Sequence, residues 1–370
     1  MNTHTKYMCA IAMVAAFSTL RADHNGVRQK VDVAALPTVA APKFAVDPFW
    51  PRPLPNQWVT GEVGGSCIDA QDHVFILNRD DLSPKEQIIN KPAPPVIELD
   101  ADGNVVSSWG DPSKVPGRIH GCFVDYENNV WVAGQTDAIV QKYSHDGKLL
   151  LQIGQKGVYD TSDNTAEGAA MNSSRTLLNQ PAAISVDPTN GDIYIADGYG
   201  NRRVVVFDKS GHFLRQWGKQ GTVAEGEAGV PNVFAQWVHC LILGNDGLVY
   251  VCDRRADRIQ VFDKMGSFKK NIYIQRGTGN LGRADGSAWW IAFSPDQVQK
   301  YMYVADGGNE KIWILDHALG EIISSFGRPG HQAGEFTYLH SICVDSKGNI
   351  ITAETIGGRR VQKFKLIGGG

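Results

Sequence analysis

One unit recurs six times along this chain, and a repeat of that kind restricts the fold more than any local motif can. Its clearest copy reads Ala183-Ile184-Ser185-Val186-Asp187, a turn at Asn190-Gly191, then Ile193-Tyr194-Ile195-Ala196-Asp197. A polar loop with Asn201-Arg202-Arg203 leads to Val204-Val205-Val206-Phe207-Asp208, a Ser210-Gly211 turn, and Phe213-Leu214-Arg215-Gln216-Trp217-Gly218. Four short apolar runs separated by turn residues are the content of one propeller blade. The other copies align as residues 67–110, 121–154, 240–274, 291–327 and 341–367, four of the six closing on an aromatic or Ile followed by Gly. The predicted fold is therefore all-β, a six-bladed β-propeller. The last copy stops after its third strand, so an N-terminal strand is expected to complete it and close the ring. Gln57-Trp58-Val59-Thr60-Gly61, which resembles Arg215-Gln216-Trp217-Gly218, is the segment expected to do so.

Residues 56–370 thus form a single domain. Residues 23–55, rich in Pro, Ala and Val without periodicity, read as a linker. Residues 1–22 read as a candidate signal peptide, with Lys6 before an apolar stretch from Tyr7 to Leu20 that is too short to span a bilayer. A periplasmic or secreted location is expected, or a cytoplasmic one if that segment is not a signal. The net charge of -3 and the lack of a basic cluster exclude nucleic acid as an expected partner. No membrane span is expected, and a monomer is. Cys67, Cys122, Cys240 and Cys343 fall in first strands of repeats and read as small apolar residues; no disulfide framework is indicated. The pairs Asp197/Arg203, Asp253/Arg258 and Asp306/Lys311 recur at one place in the repeat and read as structural ion pairs.

Three histidines occupy one position of the repeat, in its second, fourth and sixth copies: His120, His239 and His340. In a six-bladed ring they stand about 120° apart at the start of the innermost strands, the geometry of a three-nitrogen metal site with an open position. Nitrogen donors without an accompanying carboxylate favour zinc over magnesium or calcium. Because alternate strands run in opposite directions, the residues just after second strands share that mouth of the channel. These include Arg79, Tyr199 and Arg254. Beside a metal and two arginines the Tyr199 phenol is expected to acidify and to serve as a base. The arginines could hold a carboxylate or stabilise an oxyanion. Long loops, residues 78–95, 155–178 and 219–234, cover the same mouth, and Trp289 or Trp290 could wall it. His73, His145, His212 and His317 belong to turns at the rim or the opposite face, and His331 lies off the channel.

These residues resemble the lyase half of peptidylglycine alpha-amidating enzymes, a six-bladed NHL-type propeller with a three-histidine zinc site. The similarity covers roughly residues 59–364 and is most specific at the histidine stretches, at Ala196-Asp197-Gly198-Tyr199-Gly200-Asn201-Arg202-Arg203, at Cys252-Asp253-Arg254 and at Ile259-Gln260-Val261-Phe262. The resemblance implies that His120, His239 and His340 bind Zn2+ and that Tyr199, Arg79 and Arg254 are catalytic. The implied reaction splits an N-acyl alpha-hydroxyglycine into an amide and glyoxylate, with zinc as Lewis acid, so that the partner is a small-molecule or peptide-derived substrate. Ser341 stands where the animal enzymes have an acidic calcium ligand, which counts against structural Ca2+. Their disulfide positions correspond to Asn179, Gly200, Tyr250 and Val261, and the copper domain that accompanies the lyase is absent from this sequence. Two further readings stand beside this one. The first is a zinc-dependent hydrolase of lactonase or amidase type; the second is a non-catalytic NHL propeller that binds through its loops.

Overall fold

The computed structural model describes residues 40–280 and 285–369, so the candidate signal peptide and the first part of the linker lie outside the described residues. Six four-stranded antiparallel sheets follow one another along the chain. Blade 1 is Val63–Ile68, Val74–Asn78, Val96–Leu99 and Val105–Trp109. Blade 2 is Ile119–Val124, Val130–Gly134, Ile139–Tyr143 and Leu149–Ile153. Blade 3 is Pro181–Val186, Ile193–Asp197, Arg203–Phe207 and Phe213–Trp217. Blade 4 is Val238–Leu243, Leu248–Asp253, Arg258–Asp263 and Phe268–Tyr273. Blade 5 is Trp290–Phe293, Tyr301–Asp306, Lys311–Asp316 and Glu321–Phe326. Blade 6 is Leu339–Val344, Ile350–Glu354 and Arg360–Gly368, with Lys43–Asp47 as its outer strand. The fold is all-β, as the repeat predicts.

Middle strands such as Val74–Asn78 and Ile193–Asp197 are buried at every residue, because each sheet is covered on both faces by its neighbours. That is why they read as continuous apolar runs rather than alternating ones. The outer strand Leu149–Ile153 is mostly exposed, as a rim strand must be.

The ring closes through an N-terminal strand, but not the expected one. Lys43–Asp47 pairs antiparallel with Arg360–Gly368, placing Phe44 opposite Leu366 and Val46 opposite Phe364. Trp58–Val59 instead pairs in parallel with Lys91–Pro92 in a small separate ribbon. The closing strand therefore comes from the segment read as a linker. Phe44 supplies the reason, since its ring stacks on Phe326 at 5.1 Å and meets Tyr303 edge-on at 5.7 Å. Aromatic contacts of this kind reward the closed position.

The recurring ion pairs hold in two of the three expected places. Arg203 Nε meets Asp197 Oδ2 at 2.9 Å and Arg258 Nε meets Asp253 Oδ2 at 2.8 Å, all four side chains fully buried. In blade 5 the expected Asp306/Lys311 pair is replaced. Asp306 accepts from Asn309 Nδ2 at 2.7 Å and Trp313 Nε1 at 2.8 Å, while Lys311 lies over the Trp313 ring. Blade 6 uses Glu354 and Arg360, at 2.8 Å, in the equivalent place. The cysteine reading is also corrected. The sulfurs of Cys67 and Cys122 are joined between blades 1 and 2, and those of Cys240 and Cys252 within blade 4. Inner strands crowd around the channel, which brings the Cys67 and Cys122 Cα atoms to 5.4 Å, while Cys240 and Cys252, on paired strands of one sheet, stand 5.0 Å apart.

Phe44→Ala should lower the unfolding free energy by about 3 kcal/mol in denaturant titration; an unchanged midpoint would show that closure does not depend on this ring. Asp306 gives a pH test. Burial without a cationic partner pushes its carboxyl up to about 6. A raised carboxyl pKa costs nothing while both states are protonated. The cost grows as pH rises through the unfolded value and is complete above the folded one. The stability of Asp306→Asn relative to the native chain should therefore rise by on the order of 3 kcal/mol between about pH 4 and about pH 7.

Candidate metal centre

Where the inner strands begin, the ladder with the second strand slips by a residue. The register shift falls between Val63 and Gly65 in blade 1, between Ile119 and Cys122 in blade 2, and between Pro181 and Ala183 in blade 3. It falls between Val238 and Leu241 in blade 4 and between Leu339 and Ser341 in blade 6. Such a bulge turns one side chain out of the strand's alternation. His120, His239 and His340 occupy it in blades 2, 4 and 6, and Gly64 and Ala182 hold the place in blades 1 and 3. Their ring centroids form a near-equilateral triangle with sides of 4.5, 4.9 and 4.9 Å. One nitrogen from each lies within 4.8 Å of the others. The threefold arrangement expected from the repeat is present.

Their second nitrogens explain the orientation. His120 Nδ1 lies 2.8 Å from the Ala182 carbonyl oxygen and His239 Nδ1 2.7 Å from that of Trp289, the residue before the inner strand of blade 5. A carbonyl can only accept, so each Nδ1 carries the proton and each Nε2 keeps its lone pair. Burial, reinforced by nearby cationic arginines, holds all three imidazoles well below their ordinary pKa, hence neutral. His239 Nε2 and His340 Nδ1 are buried without a hydrogen-bond partner. An orphaned buried nitrogen such as His239 Nε2 is costly in a folded chain, and a divalent ion with nitrogen preference would satisfy it. The donor set fits a metal.

The remaining sequence-predicted residues surround this triangle. Tyr199 lies with its hydroxyl 3.0 Å from His120 Nε2, donating into that lone pair, and 3.4 Å from Arg254 Nη1. Arg254 is sandwiched by indoles, its guanidinium 3.3 Å from the Trp289 ring centre and 4.5 Å from that of Trp237. Its Nε donates to the Asp285 carbonyl at 2.8 Å. Trp289 and Trp290, at the start of blade 5, both wall the site, with ring centres 5.6 to 6.5 Å from the imidazoles they face. Arg79 is nearby but engaged: Nη1 contacts Glu62 at 2.5 Å and Thr355 at 3.0 Å, and Nε donates to the Ile119 carbonyl at 2.9 Å. Gly64 is what admits this arginine, because a Cβ there would lie 2.1 Å from the Ile119 oxygen and 3.0 Å from Arg79 Nε.

Sequence reasoning missed Glu62 and Arg118. Glu62 bridges Arg79 and Arg118, the latter at 2.9 Å. Burial pushes its carboxyl up, but the Arg79 hydrogen bond and both guanidinium charges outweigh that and hold it low. Arg118 precedes His120 by two residues and was visible; Glu62 carried no signal, since its blade has Gly64 where blades 2, 4 and 6 have histidine. In the metal-free chain the Tyr199 phenol is raised, because burial is the largest influence and Arg254 and Arg79 offset only part of it, so the acidification expected beside a metal and two arginines is not supplied by the arginines alone.

An NHL repeat is recognised at residues 178–207, most of blade 3. This chain is an NHL-repeat propeller. It is 26% identical over 339 residues to human NHL repeat-containing protein 3, covering 87% of this chain and 84% of that protein. It is 31% identical over 314 residues to Xenopus laevis peptidyl-glycine alpha-amidating monooxygenase A, 80% of this chain but only 31% of that protein. With the Drosophila melanogaster peptidyl-alpha-hydroxyglycine alpha-amidating lyase 1 it shares 25% over 282 residues, 71% of this chain and 47% of that protein. Among solved structures, a streptogramin B lyase superposes with a TM-score of 0.55 at 13% identity, covering 88% of this chain and 98% of that one. The likeness to that structure is one of fold alone.

His239→Ala should leave the NHL propeller folded and remove about one equivalent of tightly bound divalent metal from chelator-stripped, reloaded protein. Elemental analysis checks this, and full retention would take the three histidines out of the metal-binding role.

Proposed function

We propose that this propeller is a metal-dependent carbon–nitrogen lyase acting on an N-acyl alpha-hydroxyglycine or a similar carbinolamide, with zinc as the ion. The observation that carries the reading is the Tyr199 hydroxyl, held between the lone pair of a would-be metal ligand and a buried, indole-sandwiched guanidinium. The similarity to amidating enzymes supports the reaction class. Zinc bound by the three imidazoles would supply Lewis-acid activation of a substrate oxygen and positive charge favouring the ionised phenol.

The chain's own residues then have separate tasks. Arg254, fixed by Trp237, Trp289 and the Asp285 carbonyl, and Arg79, fixed by Glu62 and Thr355, give the channel mouth an excess of positive charge for a substrate carboxylate. Tyr199 takes the proton of the substrate's alpha-hydroxyl. As the C–O bond gains its second bond the C–N bond breaks, its electron pair leaves with the amide nitrogen, and that nitrogen is protonated. The products are an amide and glyoxylate. Glu62 and Asp285 are both engaged with arginines, leaving the phenol as the group with a proton to exchange, which favours this reading over a hydrolase with a carboxylate base.

With N-acyl alpha-hydroxyglycines as substrates and glyoxylate as the readout, Tyr199→Phe should retain metal while turnover falls by about 10²- to 10⁴-fold. Native turnover in the variant would remove Tyr199 as the base. No glyoxylate from metal-loaded native protein would remove the substrate class.

A further inference from the structure

We infer that a second divalent-metal site joins blades 1 and 2 on the face of the disc opposite the three histidines. Its ligands are Asp69, His73, Glu98 and His145, and the ion is of zinc type, suited to two nitrogen and two oxygen donors. One donor atom from each of the four lies within 4.8 Å of all the others. His73 follows the inner strand of blade 1 and Glu98 lies on its third strand, while His145 lies in the turn between the third and fourth strands of blade 2. Strand direction puts both turns at the mouth away from His120.

The spacing is that of a coordination shell. Four donors held at roughly 2.1 Å around a tetrahedral ion stand roughly 3.4 Å from one another. Here His73 Nδ1 is 2.7 Å from Glu98 Oε1 and 3.8 Å from Asp69 Oδ2, while His145 Nε2 is 3.2 Å from Asp69 Oδ2 and 3.6 Å from Glu98 Oε1. These distances lie on either side of the tetrahedral value, and only His73 and Glu98, now hydrogen-bonded to each other, must part to admit the ion.

Charge points the same way. The Asp69 and Glu98 side chains are 1% and 4% exposed, and among the described residues neither has an ion pair with lysine or arginine. Two buried carboxylates facing one centre repel, and buried charges persist when paired or bound to metal. Asp69 is pre-set by its other oxygen, Oδ1, which accepts from the backbone N–H of Gln71 at 2.9 Å and of His73 at 2.8 Å. The His145 ring is set edge-on against Phe75 at 5.1 Å. Both imidazoles are about one-third exposed, which leaves a path for the ion. Four protein ligands close the shell, so the site is structural and staples two neighbouring blades.

Chelator-stripped full-length protein reloaded with Zn2+ alone tests this independently of the channel site. Native protein should hold about two equivalents. His239→Ala should keep about one, and the double variant His73→Ala/His145→Ala should also keep about one, with no remaining Zn2+-dependent rise in melting temperature beyond that of the channel ion. Should the double variant not fold, Glu98→Gln, which keeps shape and hydrogen bonding, should weaken the second equivalent at least tenfold in a Co2+ absorption titration. Equal stoichiometry in native and double-variant protein, or no metal in folded His239→Ala, would overturn the proposal, the latter result meaning that the four residues form only a hydrogen-bonded clamp.

Discussion

Everything in this molecule depends on the ring being closed. Six sheets that are apolar on both faces can bury those faces only against one another, and an open arc would leave two of them wet. The pairing of Lys43–Asp47 with Arg360–Gly368, tied down by Phe44 against Phe326 and Tyr303, removes those ends. Once closed, the ring fixes where each inner strand begins relative to the axis. The imidazole triangle is therefore a property of the whole circle. No single blade could hold it.

Closure alone would line the channel with alternating residues. The register shift at the start of the inner strands of blades 2, 4 and 6 adds what the circle lacks, a side chain aimed at the axis. His120 uses the Ala182 carbonyl of blade 3 and His239 the Trp289 carbonyl of blade 5, so two of the three histidines are oriented by the following blade, which lacks histidine. The counterpart of Ala182 and Trp289 in blade 1 is Gly64, and there the pattern changes: His340 Nδ1 has no partner, and the room beside Gly64 is taken by Arg79.

The repeat made the fold legible, and strand direction made the site legible as far as Tyr199, Arg79 and Arg254. What escaped has physical reasons. The closing strand hid in a stretch with no period because an outer strand, exposed on one edge and only five residues long, needs little pattern. Asp306 and Lys311 looked like a pair by position, but Trp313 and Asn309 offered shorter neutral donors, and the lysine moved to the indole. The Cys67–Cys122 link joins different blades, and sequence spacing does not report how closely inner strands crowd an axis. His73 and His145 were correctly placed away from the channel, yet nothing in the spacing could show that Asp69 and Glu98 meet them there.

Tyr199 clarifies the electrostatics of the site. A metal and two guanidiniums near the phenol were expected to acidify it; the guanidiniums by themselves do not, because burial dominates. Part of the reason is that Arg79 is not free: Glu62 takes up much of its charge and shares itself with Arg118. Among the described residues Arg254 has the partly exposed Asp285 as its ionic partner and rests on the faces of two indoles, so its charge is the one Tyr199 feels most. The protein's own cations therefore leave the phenol protonated and hydrogen-bonded to His120. Ionising it requires positive charge closer than either arginine stands, and the nitrogen that now accepts its proton is one of the three that converge on the axis. On the proposed reading base and ligand set are linked: an ion in the site would withdraw the phenol's acceptor and supply the missing charge in the same event.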